Sequence, residues 1–178
     1  MNYSLTTPLK KEELEMLRAG DRVLLSGIIY TARDAAHERM THLWNDGIPF
    51  PIDLTTAAIY YAGPCPAKPG EIIGSCGPTT SGRMDAYTPL LLDSGLRVMI
   101  GKGERNDEVK QSIIKNKAVY LGAIGGAGAL IARCIKSAEV VAYEDLGTEA
   151  IRKLTVENMP LTVLIDSLGT DLYSDRGE

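Results

Sequence analysis

Residues 77–83 read Gly77-Pro78-Thr79-Thr80-Ser81-Gly82-Arg83, and they concentrate polar chemistry in a short irregular stretch. Glycine permits close backbone approach and positive φ, and proline removes a backbone donor. Neither a regular helix nor a central strand accommodates the segment. Three consecutive hydroxyls, free backbone N–H groups and one guanidinium are held together, which suits a small carboxylate or phosphate. The same residue types also build ordinary surface turns.

Two further cations fall at comparable places. Arg33 lies at a junction between a strand and a helix, where anions commonly meet helix N-terminal amides. Lys102 stands between Gly101 and Gly103, directly after a short apolar run, at the kind of strand end where α/β folds bind ligands. Each also reads as a solvated loop residue. If the strand ends converge, Arg33, Arg83 and Lys102 surround Thr79 and Thr80 and form a pocket for a small dianion. Arginine holds a carboxylate through two parallel hydrogen bonds, whereas lysine supplies a point charge. His37 falls one turn into the helix after Arg33. It either supports Arg33 or the site, or serves as a hydrogen-bonded structural histidine.

The elements that must position these groups are legible from pattern. The first residues read as extended, and Lys10–Arg18 as a short helix stopped near Gly20. Arg22–Thr31 is a β-rich run interrupted by Ser26-Gly27, hence a buried strand with a bend or bulge. The spacing predicts a helix from Arg33 to about Asn45, with Ala36, Met40, Leu43 and Trp44 on its apolar face. Residues 47–70 are rich in glycine and proline around one short strand, Ala58–Ala62. A strand is expected over Glu71–Gly74, a short helix over Tyr87–Leu92 and a strand over Arg97–Gly101. Glu104–Lys117 reads as an amphipathic helix with Val109, Ile113 and Ile114 inward. Ala118–Ala123 is a strand, followed by the glycine-rich 125–128 and a helix to about Arg133. The tail is expected to continue as strand Glu139–Tyr143, helix Gly147–Lys153 and strand Leu161–Ile165. Alternating strands and helices imply one α/β domain over 1–178 with a mixed, partly parallel sheet.

Composition narrows the function classes. The 178 residues suffice for one domain with a sizeable core, and 44% hydrophobic with 24% charged residues is ordinary for a globular protein. A net charge of −4 gives no reason to expect nucleic acid as a partner. No apolar run is long enough to cross a bilayer, and the amino terminus lacks a signal peptide's apolar core, so a cytoplasmic location is expected. Eight Tyr accompany one Phe and one Trp, so the core is expected to be mostly Leu, Ile, Val and Ala. The three cysteines, Cys65, Cys76 and Cys134, show neither paired nor cluster-ligand spacing. The glycines at 125–128 fit neither of the common phosphate-binding spacings, which favours close backbone packing over nucleotide binding.

The stretches YTARDAAH (30–37), YYAGPCPAKPGEIIGSCGPTTSGRMDAYTP (60–89), GKGER (101–105) and YLGAIGGAGALIARCIKSAEVVAYEDLG (120–147) together resemble one family. It is the iron–sulfur hydro-lyases of the class I fumarase and L-tartrate dehydratase type. The similarity is to their β subunit, equivalent to the C-terminal domain of the single-chain enzymes, and covers nearly the whole chain. At 125–128 this chain reads GGAG where many relatives read GGPA. The resemblance implies a swivelling β/β/α domain and a chain that is half of an enzyme, completed by a cluster-bearing α subunit in a hetero-oligomer such as α2β2. It implies a [4Fe-4S] cluster ligated by that partner, with no metal ligand on this chain, and reversible hydration of fumarate to malate. It matches Thr79 to the catalytic base, Arg33, Arg83 and Lys102 to carboxylate-binding positions, and Thr80 to a further hydrogen-bonding position. L-tartrate dehydratase and mesaconate hydratase β subunits remain alternatives, as does a non-catalytic carboxylate-binding module.

Overall fold

The computed structural model describes residues 1–123 and 128–174. Seven strands form one mixed sheet in the order β1-β2-β3-β4-β5-β7-β6. They are β1 (Asn2–Thr6), β2 (Arg22–Thr31), β3 (Ala58–Tyr60), β4 (Val98–Gly101), β5 (Val119–Gly122), β6 (Ile135–Ala142) and β7 (Ile151–Ile165). The first five run parallel to their neighbours. Strand β7 is antiparallel to β5 and β6 and also pairs along β2, from Arg22↔Thr162 to Thr31↔Arg152. The pairings therefore close a circuit through β2, β3, β4, β5 and β7. The helices are α1 (Lys11–Met16), α2 (Asp34–Asn45), α3 (Thr88–Asp93), α4 (Asp107–Asn116) and α5 (Gly128–Cys134). None is long and apolar enough to cross a membrane.

Parallel strands covered on both faces are apolar at every position, and here alternate residues divide between two cores. Tyr60, Ile100 and Leu121 join Leu25, Ile29, Leu154 and Val163 in one cluster. Ile59, Tyr61, Met99 and Tyr120 point the other way and pack with Ala36 and Met40 of α2, Leu91 and Leu92 of α3, and Val109 and Ile113 of α4. The bend expected at Ser26-Gly27 is a register shift against β7 between Leu25 and Gly27, and Gly27 has φ +103°.

Four expectations are corrected. Glu71–Gly74 is not a strand. Its backbone is used locally instead, with the Gly74 N–H donating to Cys65 O at 3.2 Å and the Cys65 N–H to Ser75 O at 2.9 Å. Gly147–Lys153 is not a helix: a 3₁₀ segment, Glu144–Glu149, precedes β7, and Gly147 at φ +62° sits within it. Ile151, Leu154 and Val156 are buried by pairing with a strand far away in sequence, which outweighs local helical spacing. Ile114 of α4 is 40% exposed rather than inward. The core is mostly Leu, Ile, Val and Ala, as expected, and Tyr60, Tyr61 and Tyr120 are its largest fully buried side chains. On α2, Trp44 is exposed but stacks on Phe50, with ring centroids 4.5 Å apart.

Candidate active site

Parallel pairing aligns the carboxyl ends of β2, β3 and β4, because Thr31 faces Tyr60 and Tyr60 faces Ile100. The candidate residues leave the sheet from this one edge. Arg33 follows β2 and caps α2 with extended backbone. Residues Thr79 to Ser81 are drawn to the ends of β3 and β4 by three backbone hydrogen bonds or bridges. The Thr79 N–H donates to Tyr61 O at 2.8 Å, Thr80 and Lys102 form a parallel bridge, and the Ser81 N–H donates to Lys102 O at 2.9 Å. A 3₁₀ turn over Ser81–Met84 then carries Arg83 outward. Gly101 is required at this crossing, since a Cβ there would collide with Ser81 Oγ and lie 2.7 Å from Tyr61 Cδ2.

Arg33 and Arg83 share one carboxylate. Arg33 Nε lies 3.8 Å from Asp34 Oδ1, and Arg83 Nη1 lies 3.9 Å from Asp34 Oδ2. Glu149 Oε1 approaches Arg33 Nε from the other side at 3.9 Å. These separations are ion pairs beyond hydrogen-bond length, and both Arg33 Nε and Asp34 Oδ1 are buried without a hydrogen-bond partner. Arg83 is 57% exposed in its side chain. Thr80 and Lys102 are exposed and Thr79 is half-buried. Lys102 has no ion-pair partner among the described residues. The five groups therefore lie along an open edge that presents cations and hydroxyls to solvent. The large surface hollows, of about 390, 570 and 680 Å³, are lined by other parts of the chain.

Behind this edge His37 is fully buried, its Nδ1 2.8 Å from the Arg33 carbonyl oxygen. A carbonyl only accepts, so Nδ1 carries the proton and Nε2, which has no partner, is the bare nitrogen. Tyr61 packs edge-on at 5.5 Å, and Tyr87 lies tilted at 6.1 Å. Burial pushes the imidazole down to about 4, with the Arg33 carbonyl opposing, so the ring is neutral near pH 7. His37 thus braces the backbone of Arg33 and carries no charge into the edge.

Three features escaped sequence reasoning. Asp34 and Glu149 neutralise part of the arginine charge; Asp34 could have been suspected from its place beside Arg33, whereas Glu149 is distant in sequence. The third is a buried cluster around Arg105 and Asp85, the acidic residue closing Gly82-Arg83-Met84-Asp85. Arg105 Nε donates to Asp85 Oδ1 at 2.6 Å, and the guanidinium side chain has no solvent exposure.

This chain offers no cluster site among its described residues. No three His, Cys, Asp or Glu side chains lie together to hold a metal ion. Cys65 is exposed and Cys134 half-buried, while burial pushes the Cys76 thiol up to about 12. The glycines at 125–127 lie outside the described residues; Gly128, which follows, packs so that a Cβ would lie 3.2 Å from Gly77 N.

The family model described as "Fumarase C-terminus" matches residues 1–176. The chain is 38% identical over 178 residues to "Fumarate hydratase 2" of Leishmania major, spanning 98% of this chain and 31% of that protein. It is 40% identical over 177 residues to "Fumarate hydratase class I, anaerobic" of Escherichia coli, spanning 97% of this chain and 32% of that protein. It is 36% identical over 181 residues to "Putative L(+)-tartrate dehydratase subunit beta" of Methanocaldococcus jannaschii, spanning 98% of this chain and 92% of that protein. The chain spans about a third of the length of those fumarate hydratases and nearly all of the archaeal subunit. With the family model matching residues 1–176, the chain belongs to the fumarase C-terminus family.

Proposed function

We propose that this chain is the β-type half of an iron–sulfur hydro-lyase that interconverts fumarate and malate in the cytoplasm. A cluster-bearing α subunit closes the open edge and ligates the [4Fe-4S] cluster. The observation that carries the reading is the sharing of Asp34 by Arg33 and Arg83, beside the bridge between Thr80 and Lys102. Two guanidiniums converging on one carboxylate within the chain support an external dicarboxylate being held there. Arg33 and Arg83 would orient its carboxylates, Lys102 would add a point charge, and Thr80 would donate a hydroxyl hydrogen bond. In dehydration Thr79 would take the proton from the carbon next to a carboxylate, whose developing negative charge those cations stabilise. A threonine hydroxyl is a weak base near neutrality, so an activating carboxylate from the partner is part of the proposal. The Lewis-acid help for hydroxyl departure would come from the partner's cluster, since the described residues of this chain gather no set of metal ligands.

A second reading, an L-tartrate dehydratase β subunit, is favoured by one observation: the relative matched over nearly its full length bears that name. Co-expression with a cluster-bearing α chain, anaerobic purification and assay of malate, tartrate and citramalate separates the readings. Fumarate formation from malate at the highest kcat/KM supports the first, and preferential turnover of tartrate the second. Binding of dicarboxylate without turnover by a pair holding a full cluster would leave only a carboxylate-binding module.

A further inference from the structure

Arg105 is buried between two core tyrosines, its guanidinium carbon 5.2 Å from the Tyr61 ring centroid and 4.8 Å from that of Tyr120. Its donors are distributed over separate segments. Nε donates to Asp85 Oδ1 at 2.6 Å, and Nη2 donates to Thr88 Oγ1 at 2.8 Å and to Tyr61 Oη at 3.3 Å. The remaining Asp85 oxygen accepts from the Asn106 N–H at 2.9 Å, at the start of α4.

Both tyrosines reach the candidate site directly. The Tyr61 carbonyl accepts the Thr79 N–H. The Tyr120 hydroxyl lies 2.8 Å from both Gly103 O and Ser81 Oγ. It has one proton, and the carbonyl can only accept, so Tyr120 donates to Gly103 and Ser81 donates to Tyr120. Ser81 Oγ in turn accepts the Lys102 N–H at 3.0 Å. An ordered chain of donors thus runs from Lys102 through Ser81 and Tyr120 to Gly103.

Resting on the function proposed above, we infer that Arg105, through Asp85, Tyr61 and Tyr120, is a positioning residue that sets Thr79 and Lys102 in register for the reaction. It touches no substrate itself. A buried cation could have been replaced by a packed apolar side chain at little cost in stability, or even a gain. What an apolar side chain cannot do is hold Asp85, Thr88 and Tyr61 at fixed mutual positions while its flat face lies against two rings. Misplacement of a reacting group by about 1 Å costs on the order of 100-fold in rate.

The test uses the whole chain, alone and in the reconstituted pair. The double variant Arg105→Met with Asp85→Asn removes the cation without stranding a buried charge. Arg105→Lys keeps a charge opposite Asp85 but cannot reach Thr88 and Tyr61 together. Lys110→Met breaks the Lys110–Asp171 pair, whose Nζ and Oδ2 are 2.7 Å apart, and serves as a destabilised reference away from the site. In the isolated chain, hydrogen exchange at the Thr79, Ser81 and Lys102 amides is expected to quicken on the order of tenfold in the double variant, while amides of β2 and β7 hold their rates. In the pair, kcat is expected to fall on the order of 100-fold with KM changed far less, Arg105→Lys falling in between, and Lys110→Met losing stability without losing kcat. Uniform quickening across the sheet, or a loss of kcat in Lys110→Met that tracks its stability, would overturn the inference and leave Arg105 as core structure. Because exchange is read on the chain alone, an inactive wild-type pair would count against the hydro-lyase reading while the exchange pattern still decides the positioning of Thr79 and Lys102.

Discussion

Thr80 and Lys102 face each other across an isolated parallel bridge, so a hydroxyl and an ammonium are fixed to the same end of the sheet. The bridge is possible because Thr80 and Ser81 lie along Lys102 at the end of β4 before the 3₁₀ turn of Ser81–Met84 begins. Backbone hydrogen bonds tie Thr79 and Ser81 to the ends of β3 and β4, while the Thr80, Arg83 and Lys102 side chains are exposed.

If Thr79 moves the proton, deleting its hydroxyl removes chemistry and little else. Thr79→Ala should lower kcat in the reconstituted pair by on the order of 100-fold to 10,000-fold, the range for losing a general acid or base. Thr79→Ser should retain most of the activity. Thermal melting should stay within a few degrees of wild type, because the Thr79 N–H still donates to Tyr61 O. Steady-state kinetics beside a melting curve checks all three.

Arg83→Lys keeps the charge and loses the two-pronged geometry. A charge-assisted hydrogen bond contributes about 1.5–3 kcal/mol, so KM for the dicarboxylate should rise by roughly tenfold or more while kcat changes less. Arg83 is well exposed, and the fold should not notice the change. An unchanged KM would remove Arg83 from the carboxylate-binding set.

Asp34 makes the converse case. Its contacts to Arg33 and Arg83 both exceed hydrogen-bond length, and the one to Arg83 lies at an exposed side chain, so they contribute little to stability. Asp34→Asn should leave the unfolding free energy within about 0.5 kcal/mol. It should also tighten binding of an unreactive dicarboxylate such as succinate to the pair, since a competing carboxylate is gone, and make that binding steeper in salt. Calorimetry at two ionic strengths checks the direction. Weaker binding would show that Asp34 orients the arginines.

His37 supplies a pH dependence. Its imidazole is lowered from 6.5 to about 4, so the unfolded chain binds the proton more readily than the folded one. The stabilisation is fully present above pH 6.5 and is lost as pH falls through the interval down to about 4. At pH 4.5 the loss should be roughly 2–3 kcal/mol, from about 1.4 kcal/mol per pKa unit. His37→Gln should flatten the stability profile between pH 6.5 and 4.5, as measured by urea unfolding. Carboxylates held low by partners, such as Asp21 with the N-terminal amine and Asp93 with Asn116 and Lys115, act below this interval.

Local pattern was enough where local forces decide. The Ser26-Gly27 interruption gave a bulge because glycine can take φ +103° inside a strand. Helix α4 begins where Asn106 caps the Val109 N–H at 2.9 Å. Local pattern failed for Ile151–Lys153, whose strand state depends on β2, and for Glu71–Gly74, whose backbone partners lie in a loop. Of the site, Arg33, Thr79, Thr80, Arg83 and Lys102 were visible as chemistry at loop positions. Their common edge follows from the β2–β3–β4 order, which periodicity does not encode. Asp34, Glu149 and Arg105 acquire meaning only after that order brings other segments to them.

The most direct measurement is the ultraviolet absorbance of the unsaturated product when malate is given to this chain reconstituted anaerobically with a cluster-bearing α subunit. Wild type is expected to generate the absorbance and Thr79→Ala to suppress it with the cluster intact. A fully loaded pair that leaves malate, tartrate and citramalate unchanged would contradict the account.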